Sequence, residues 1–307
     1  MNIFSCIDNK NIDKIFVLFY SCFLNCSKKE NLKFYILVEQ PYQGSIPFIF
    51  RNNLIIRNID KEFLINSNWI DIIEQFSNNF YIQGAKCNNI MNFSRFFFFQ
   101  TFPEVDRAIY LDWDMIVEGD IYKLINEYNT DKLIVASSLK TSFDTICGNI
   151  ANLNPTEFNI VSCKNYYNPL IFKLNTNQIR KNIFKKYNEL IFNITGHENA
   201  ANKKSFNAGF YIVSKNIFNL DNIKQLIEKL LIEQKKEKVF RFGTQVIMNL
   251  LSINNIIFVD KRWNNIPNQE NYITHWNGTK IPKPWDSKDP LWIKYFNLFQ
   301  NSAKEMA

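Results

Sequence analysis

Short runs of bulky apolar residues alternate along this chain with amphipathic or polar stretches. Several runs are unbroken, which is typical of strands buried on both faces of a parallel sheet, and they span 2–7, 32–39, 54–59, 108–111 and 133–137. Helical periodicity and capping residues predict helices at about 14–27, 89–101, 121–128 and 219–236. Because strand and helix alternate from the first residue, the pattern predicts an α/β fold with a central, mostly parallel sheet flanked by helices.

Two carboxylates follow the apolar run 108–111 where its strand should end. Residues i and i+2 of a strand project from one face, so Asp112 and Asp114 converge while Trp113 points away. Sheets of this class bind ligands at that edge. Neighbouring carboxylates repel each other unless a hard divalent cation such as Mg²⁺ or Mn²⁺ joins them. The pair therefore indicates a metal site, and the alternative is a solvated turn.

Polar residues at two further element ends are candidates for the same edge. Asp8 ends the first predicted strand, where its carboxylate can accept from a base N–H or a ribose hydroxyl, or can simply cap a turn. Arg95 is the single charge among phenylalanines in the predicted helix 89–101. Such an arginine usually pairs with a carboxylate or a phosphate, so it belongs either to this site or to a structural ion pair.

The carboxyl-terminal half adds three polar candidates. Asn207 opens a buried strand beside Ala208 and Gly209, whose small side chains let a ligand approach the backbone. Gln245 starts a short helix near the sheet edge. The segment 272–285 holds His275, whose neutral imidazole can complete an Asp₂His metal set; a glycine N–H and a lysine in the same segment can hold a diphosphate. Read alone, each of these residues also fits an ordinary structural role.

Composition narrows the range of partners. The 307 residues carry a net charge of +7, which fits an anionic ligand, an anionic membrane surface or a lysine-rich codon bias. No compact Lys/Arg run indicates nucleic-acid binding. The 6 cysteines form no Cys-x-x-Cys motif and imply no disulfide framework, and no secretory or membrane-spanning segment is evident. The expectation is a cytoplasmic protein that can lie peripherally on the inner face of a membrane.

Taken in order, the candidate segments resemble glycosyltransferase family 8, which includes lipopolysaccharide galactosyl- and glucosyltransferases and glycogenin. That family has the GT-A fold, a Rossmann-like sheet that holds a nucleotide sugar and a divalent metal. The resembling segments run across nearly the whole chain: Ile7-Asp8-Asn9, Ser94-Arg95, Tyr110-Leu111-Asp112-Trp113-Asp114, Phe206-Asn207-Ala208-Gly209, Gly243-Thr244-Gln245, and His275-Trp276-Asn277-Gly278 followed by Lys283-Pro284-Trp285.

The resemblance implies a role for each matching residue. Asp112, Asp114 and His275 would bind Mn²⁺ or Mg²⁺, and Gln245 and Thr244 would take the catalytic positions. The nucleotide sugar would contact a second set, which shares Asp112 with the first: Asp8, Asn9, Arg95, Asp112, Asn207, Ala208, Gly278 and Lys283. Thr244 stands where the family usually has Asp, and Lys10 where it often has an aromatic residue. The spacing from Gly278 to Lys283 is longer than usual, so Lys280 is an alternative to Lys283 at the phosphate.

The implied activity is metal-dependent, retaining transfer of galactose or glucose from a UDP-sugar to a glycan or glycolipid acceptor, such as lipopolysaccharide. Residues 1–285 would form the GT-A domain, with the divergent stretch 140–204 reading the acceptor. The tail 286–307 would pack as a helix or lie on a membrane surface. The alternatives are a metal-dependent phosphohydrolase or nucleotidyltransferase, or a non-enzymatic basic protein that binds glycans or membranes.

Overall fold

The computed structural model describes residues 1–82, 85–86, 90–136, 176–200, 203–237, 240, 243–277 and 281–305. Within these ranges the strands are β1 (Asn2–Ile7), β2 (Lys33–Val38), β3 (Leu54–Asn58), β4 (Tyr81–Ile82), β5 (Ala85–Lys86), β6 (Arg107–Leu111), β7 (Met115–Val117), β8 (Leu133–Ala136), β9 (Phe210–Ser214), β10 (Ile256–Val259) and β11 (Ile273–His275). The helices are α1 (Ile12–Asn25), α2 (Lys61–Asn66), α3 (Ile70–Asn79), α4 (Met91–Ser94), α5 (Phe98–Thr101), α6 (Ile121–Glu127), α7 (Thr176–Thr195), α8 (Leu220–Glu237), α9 (Thr244–Leu251) and α10 (Pro290–Glu305).

Seven of the described strands form the central sheet, in the order β10-β8-β9-β6-β1-β2-β3. Strands β6, β1, β2 and β3 run parallel, and β10 is parallel to β8. Strand β9 is antiparallel to both of its neighbours, β6 and β8. The α/β class and the mostly parallel sheet predicted from the sequence are therefore confirmed.

Hydrophobic side chains on the two faces of the sheet form two cores. One core packs the phenylalanines of α4 and α5 with α3, α8 and α9 against residues such as Phe4 and Tyr110. The other packs α1 and α10 against residues such as Ile3 and Ile109. Successive residues of β1 and β6 therefore enter opposite cores, as strands buried on both faces require. This packing fixes the carboxyl ends of β1 and β6 side by side.

The predicted helix 89–101 takes a less regular form than its pattern indicated. Helices α4 and α5 are joined by a 3₁₀ turn at Arg95–Phe97. The tighter turn buries Arg95 together with Phe96 and Phe97. Arg95 is consequently the charged member of an otherwise apolar turn directly behind β6.

The last helix, α10, packs onto α1. Its Trp292, Tyr295 and Phe299 are buried in the second core, and the Asn25 amide donates to the Tyr295 hydroxyl at 2.8 Å. Ile293, Phe296 and Leu298 on the same helix are exposed. Among the residues that the structure describes, no helix combines the length and apolar character needed to cross a bilayer.

Candidate functional site: a carboxylate and imidazole cluster at the sheet edge

A short antiparallel pair of strands brings His275 close to the Asp112–Asp114 segment. Strand β11 pairs with β7, with His275 opposite Met115. The Trp276 N–H donates to the Asp114 carbonyl at 3.1 Å, and the His275 N–H donates to the Asn265 carbonyl at 2.8 Å. His275 is therefore fixed beside Asp114 by backbone hydrogen bonds on both sides.

The side chains of Asp112, Asp114 and His275 converge. His275 Nε2 lies 3.8 Å from Asp112 Oδ2 and 3.3 Å from Asp114 Oδ1. One ligand atom from each of the three residues falls within 4.8 Å of the others. The side chains of His275 and Asp114 are 2% and 6% exposed, so the cluster opens mainly through Asp112, at 26%. The structure thus brings together the three predicted metal ligands.

Asp112 is held from behind by Tyr110 and Arg95. The Tyr110 hydroxyl donates to Asp112 Oδ1 at 2.6 Å, and Arg95 Nη2 lies 3.6 Å from the same oxygen. The guanidinium also stacks over the Tyr110 ring and donates to the Ala208 carbonyl at 3.0 Å. Burial would lower the pKa of Arg95, but the nearby Tyr110 and Asp112 outweigh it and raise that pKa. Arg95 therefore carries a fixed positive charge against Asp112.

Asp114 is held by Lys283. Lys283 Nζ contacts Asp114 Oδ2 and donates to the Trp276 carbonyl at 3.0 Å. Burial would raise the pKa of Asp114, but its interactions with His275 and Lys283 dominate and lower that pKa to about 2. Asp114 is therefore ionised at neutral pH.

Gly209 leaves the space in which the cluster meets. A Cβ added at this position would lie 2.4 Å from His275 Cε1 and 2.8 Å from Asp112 Oδ2. The Asp112 N–H donates to the Gly209 carbonyl at 2.8 Å, which fixes the backbones of the two residues together. The sequence predicted that the small size of Gly209 admits a ligand. In the structure, that small size also allows His275 and Asp112 to approach each other.

Three amide side chains continue from the cluster toward α9. Asn264 Oδ1 lies 2.8 Å from His275 Nδ1, and Asn264 Nδ2 donates to Asn207 Oδ1 at 3.2 Å. Asn207 Nδ2 in turn donates to Gln245 Oε1 at 3.3 Å. We refer to Asn264, Asn207 and Gln245 as the amide relay. It joins two predicted site residues to His275 through Asn264, a residue that the sequence did not indicate.

The first-strand residues have local partners. Asn11 Nδ2 donates to Asp8 Oδ1 at 2.9 Å, and Asp8 is half-buried at the end of β1. The Asn9 amide bonds the Gln40 backbone twice, donating to its carbonyl at 2.8 Å and accepting from its N–H at 3.2 Å. Asn9 therefore anchors the segment after β2, while Asp8 keeps an oxygen available at the edge.

Thr244 follows Gly243, whose φ of +53° lies in the region that favours glycine, and it begins α9. The Thr244 side chain is buried. A catalytic part for Thr244 stays a prediction, as do the predicted roles of the other site residues. Gly278 and its neighbour Lys280 lie outside the described residues, and so do residues 140–175 of the stretch predicted to read the acceptor.

The cluster suits a divalent metal on chemical grounds. Two carboxylates and one imidazole offer oxygen ligands and one nitrogen ligand. Both Mg²⁺ and Mn²⁺ bind carboxylate oxygens, and Mn²⁺ also binds an imidazole nitrogen. The carboxylates face a histidine nitrogen, and Gly209 keeps the space between them free of a side chain. The residues present therefore fit a divalent ion.

A family profile described as glycosyl transferase family 8 matches residues 2–289. The chain belongs to this family. Its members are glycosyltransferases, so the family match decides the class of enzyme. The comparison with curated proteins found no match.

Solved structures share the GT-A fold of this family 8 chain at low sequence identity. The galactosyltransferase LgtC, solved with donor and acceptor sugar analogues, is 16% identical with a TM-score of 0.61, over 98% of this chain and 96% of that one. The bifunctional glycosyltransferase WbbM is 13% identical with a TM-score of 0.53, over 96% of this chain and 49% of that one. Mouse xyloside xylosyltransferase 1 is 11% identical with a TM-score of 0.51, over 92% and 99%.

Three residues of this family 8 site were not predicted from the sequence to act there. The signal for Tyr110 was present, because it precedes Asp112 by two positions on one strand and so shares its face. Asn264 gave no comparable signal, since it lies in a polar stretch and reaches His275 only through the folding of 261–275. Asn249 was likewise not indicated, although its buried amide bonds both the N–H and the carbonyl of Phe206 and so fixes the start of the Asn207 segment.

Proposed function

We propose that this glycosyltransferase moves a hexose, galactose or glucose, from a UDP-sugar to a glycan or glycolipid acceptor, with Mn²⁺ or Mg²⁺ and with retention of anomeric configuration. The observation that carries the proposal is the convergence of Asp112, Asp114 and His275. Three residues from two distant parts of the chain meet at the edge of the sheet where such folds bind ligands. A phosphohydrolase or a non-enzymatic binding protein is not what the family match supports.

Asp112, Asp114 and His275 would hold the divalent ion. Bound there, it would supply a Lewis acid that offsets the charge developing on the departing diphosphate. The protein's part is to orient the two carboxylates. Arg95 and Tyr110 do this for Asp112, and Lys283 does it for Asp114.

Lys283 is the second source of positive charge for the diphosphate. Its side chain is 30% exposed, and its ammonium already contacts Asp114 at the cluster. An ammonium on a flexible stem can turn from a carboxylate to a phosphate within a short distance. Lys280, the alternative from sequence, stays a candidate for the same task.

The amide relay would hold the sugar. Gln245 and Asn207 are half-buried next to the cluster and offer amide groups that both donate and accept. Because a glutamine amide is a poor nucleophile, we assign Gln245 to positioning the sugar and stabilising an oxocarbenium-like transition state. Thr244 would support Gln245 from the same helix start.

Asp8 would accept from the base, and Asn9 would support that contact through its bonds to Gln40. Arg95 would act on the donor through the Ala208 carbonyl and Asp112, since its guanidinium contacts both. Gly278 would add a backbone N–H for the diphosphate.

The remaining assignments concern the acceptor and the membrane. Residues 1–285 would be the catalytic domain, with 140–204 reading the acceptor. The exposed Ile293, Phe296 and Leu298 of α10 and the net charge of +7 support a peripheral contact with an anionic membrane, where a glycolipid or lipopolysaccharide acceptor would be met.

The test is a screen of nucleotide-sugar hydrolysis, which reports the donor before any acceptor is known. UDP-galactose, UDP-glucose and a GDP-sugar are incubated with the protein, with and without Mn²⁺, and released nucleotide and free sugar are measured. We expect UDP release from one UDP-hexose, dependent on the ion and absent from the folded double variant D112A/D114A.

Two results would overturn the proposal. Hydrolysis by the double variant at the wild-type rate would show that the two carboxylates take no part in the reaction. Release of inorganic phosphate or pyrophosphate, without free sugar, would point to a phosphohydrolase or nucleotidyltransferase instead.

A further inference from the structure

Asn264 occupies a fixed place beside the cluster. It ends the 3₁₀ turn Lys261–Asn264, in which Asp260 accepts from the Arg262 N–H and Trp263 is buried. Next to it, the Asn265 N–H donates to the Ile273 carbonyl at 3.2 Å and the Asn265 carbonyl accepts from His275. Because the backbone is held on both sides, the Asn264 carboxamide has little freedom to move away from the imidazole.

The orientation of each amide in the relay is determined by backbone N–H groups, which can only donate. The Gly209 N–H donates to Asn207 Oδ1 at 2.9 Å, so this atom is the oxygen of the Asn207 amide. The group of Asn264 that faces Asn207 Oδ1 and the Asn207 carbonyl, at 3.2 and 3.3 Å, must then be the NH₂. The Ala208 N–H fixes Gln245 Oε1 in the same way, at 3.4 Å.

The oxygen of Asn264 is therefore the atom that faces His275 Nδ1 at 2.8 Å. An amide oxygen has no proton to give, so Nδ1 must carry the hydrogen. In a neutral imidazole the lone pair is then on Nε2, the atom that faces Asp112 and Asp114. A metal ligand requires this tautomer, and second-sphere acceptors commonly set it.

We infer that Asn264 is a positioning residue whose amide sets the tautomer of His275 with its oxygen and aligns Asn207 with its NH₂. One side chain thus couples the metal cluster to the sugar-binding side of the site. The inference rests on the proposed function in taking His275 as a metal ligand and Asn207 as a sugar contact.

The tautomer is measured directly by NMR. The chain has only 2 histidines, so ¹⁵N-histidine labelling gives two imidazoles to assign. His197 Nδ1 lies 2.9 Å from Asn254 Nδ2, a donor, so His197 should carry its proton on Nε2 and serve as the internal reference. Where the ¹⁵N shifts of a ring show one protonated and one unprotonated nitrogen, we expect His275 to be protonated on Nδ1 and to lose that preference in N264A. An unchanged His275 tautomer in N264A would overturn the inference.

Ion binding gives a second measurement, made with Mn²⁺ alone by calorimetry. N264A should bind about 10–100-fold more weakly, the usual cost of removing a second-sphere partner. N264D keeps an oxygen for Nδ1–H, so it should bind Mn²⁺ within about threefold of the wild type. It should still lose about tenfold in UDP-sugar turnover, because an acceptor replaces the NH₂ that faces two Asn207 oxygens.

The matched control is N271A, which removes a neighbouring amide bonded to the Ile266 carbonyl and Thr274 rather than to His275. It should bind Mn²⁺ like the wild type. If N264A fails to fold, the Mn²⁺ affinity of N264D and the His275 tautomer of the wild type still test the inference. If N264A and N264D both bind Mn²⁺ weakly, the effect does not come from the oxygen that faces Nδ1, and Asn264 has a structural role only. Weak binding by the control N271A would lead to the same conclusion. No Mn²⁺ binding by the wild type would instead overturn the proposed function.

Discussion

The two ends of the candidate site are built differently. At one end, Asp112, Asp114 and His275 contact one another from two distant parts of the chain, each has a further side-chain partner, and His275 and Asp114 are almost fully buried. At the other, Asp8 and Asn9 are half-buried, and Asp8 is bonded to Asn11 only three positions away. Buried and fully bonded polar groups are rigid, whereas exposed ones adjust at low cost. The cluster end is therefore the more rigid of the two, and under the proposed function the first-strand end would adapt to the donor.

This difference predicts that equal truncations will have unequal effects. Changes at the cluster should alter ion binding and kcat, while changes at the first strand should alter donor affinity alone.

His275→Ala removes the imidazole at the centre of the cluster. We expect kcat with the UDP-sugar to fall by about 10³-fold, because the departing diphosphate loses its preorganised electrostatic partner. Steady-state kinetics and Mn²⁺ calorimetry check this together. The matched control is His197→Ala, the chain's other histidine, which is bonded to Asn254 and should leave Mn²⁺ affinity and UDP-sugar hydrolysis without an acceptor unchanged. A folded His275→Ala variant with wild-type kcat would contradict the expectation that the cluster affects kcat more than the first strand does.

Gln245→Ala tests the far end of the amide relay. We expect kcat to fall by about 10²-fold, the usual scale for one transition-state contact. Mn²⁺ affinity should stay at the wild-type value, because the described hydrogen bonds connect Gln245 to His275 through Asn207 and Asn264 rather than directly. The two readings together separate sugar positioning from ion binding. A parallel loss of Mn²⁺ affinity would show that the relay acts as part of the metal site.

Tyr110→Phe removes one hydroxyl from behind Asp112 and keeps the ring beneath Arg95. The lost bond is short, at 2.6 Å, and it goes to a carboxylate. We expect Mn²⁺ affinity to fall by about tenfold, measured by calorimetry, since outer partners of metal ligands commonly contribute that much. Tyr35→Phe is the control, because its hydroxyl contacts Asn2 at the opposite end of β1. Equal Mn²⁺ affinity in the two variants would leave Arg95 as the group that orients Asp112.

The same contrast explains how much could be read from the sequence. Strands β1, β2, β3 and β6 were predicted almost to the residue, because unbroken apolar runs in a parallel sheet leave a clear pattern. The convergence of Asp112 and Asp114 followed from strand geometry alone. Helices α2 and α3 and strand β10 were not predicted, although α3 buries Ile72, Ile73 and Phe76 on one face and β10 is the short apolar run Ile256–Val259.

The contacts that complete the cluster depend on pairing between distant segments. The β7–β11 register, which places His275 beside Asp114, has no local pattern in the sequence. His275 was a candidate third ligand because of its chemistry and the family resemblance, not because its position could be derived. Asn264 lay beyond both kinds of reasoning. Its amide acts through atoms supplied by 207 and 275, which meet only after the sheet edge has formed.

Asp8→Ala is expected to have the smallest effect, and it tests the adaptable end directly. Among the described residues, Asp8 has one side-chain bond, from Asn11, and it lies where solvent can replace its oxygen. We expect KM for the UDP-sugar to rise by about three- to tenfold, which is the scale of one exposed hydrogen bond, with kcat close to the wild type. Competition between UDP- and GDP-sugars should become less selective, because the variant lacks the carboxylate that we propose contacts the base. A fall in kcat as large as that of His275→Ala, at unchanged KM, would mean that the first strand belongs to the rigid part of the site after all.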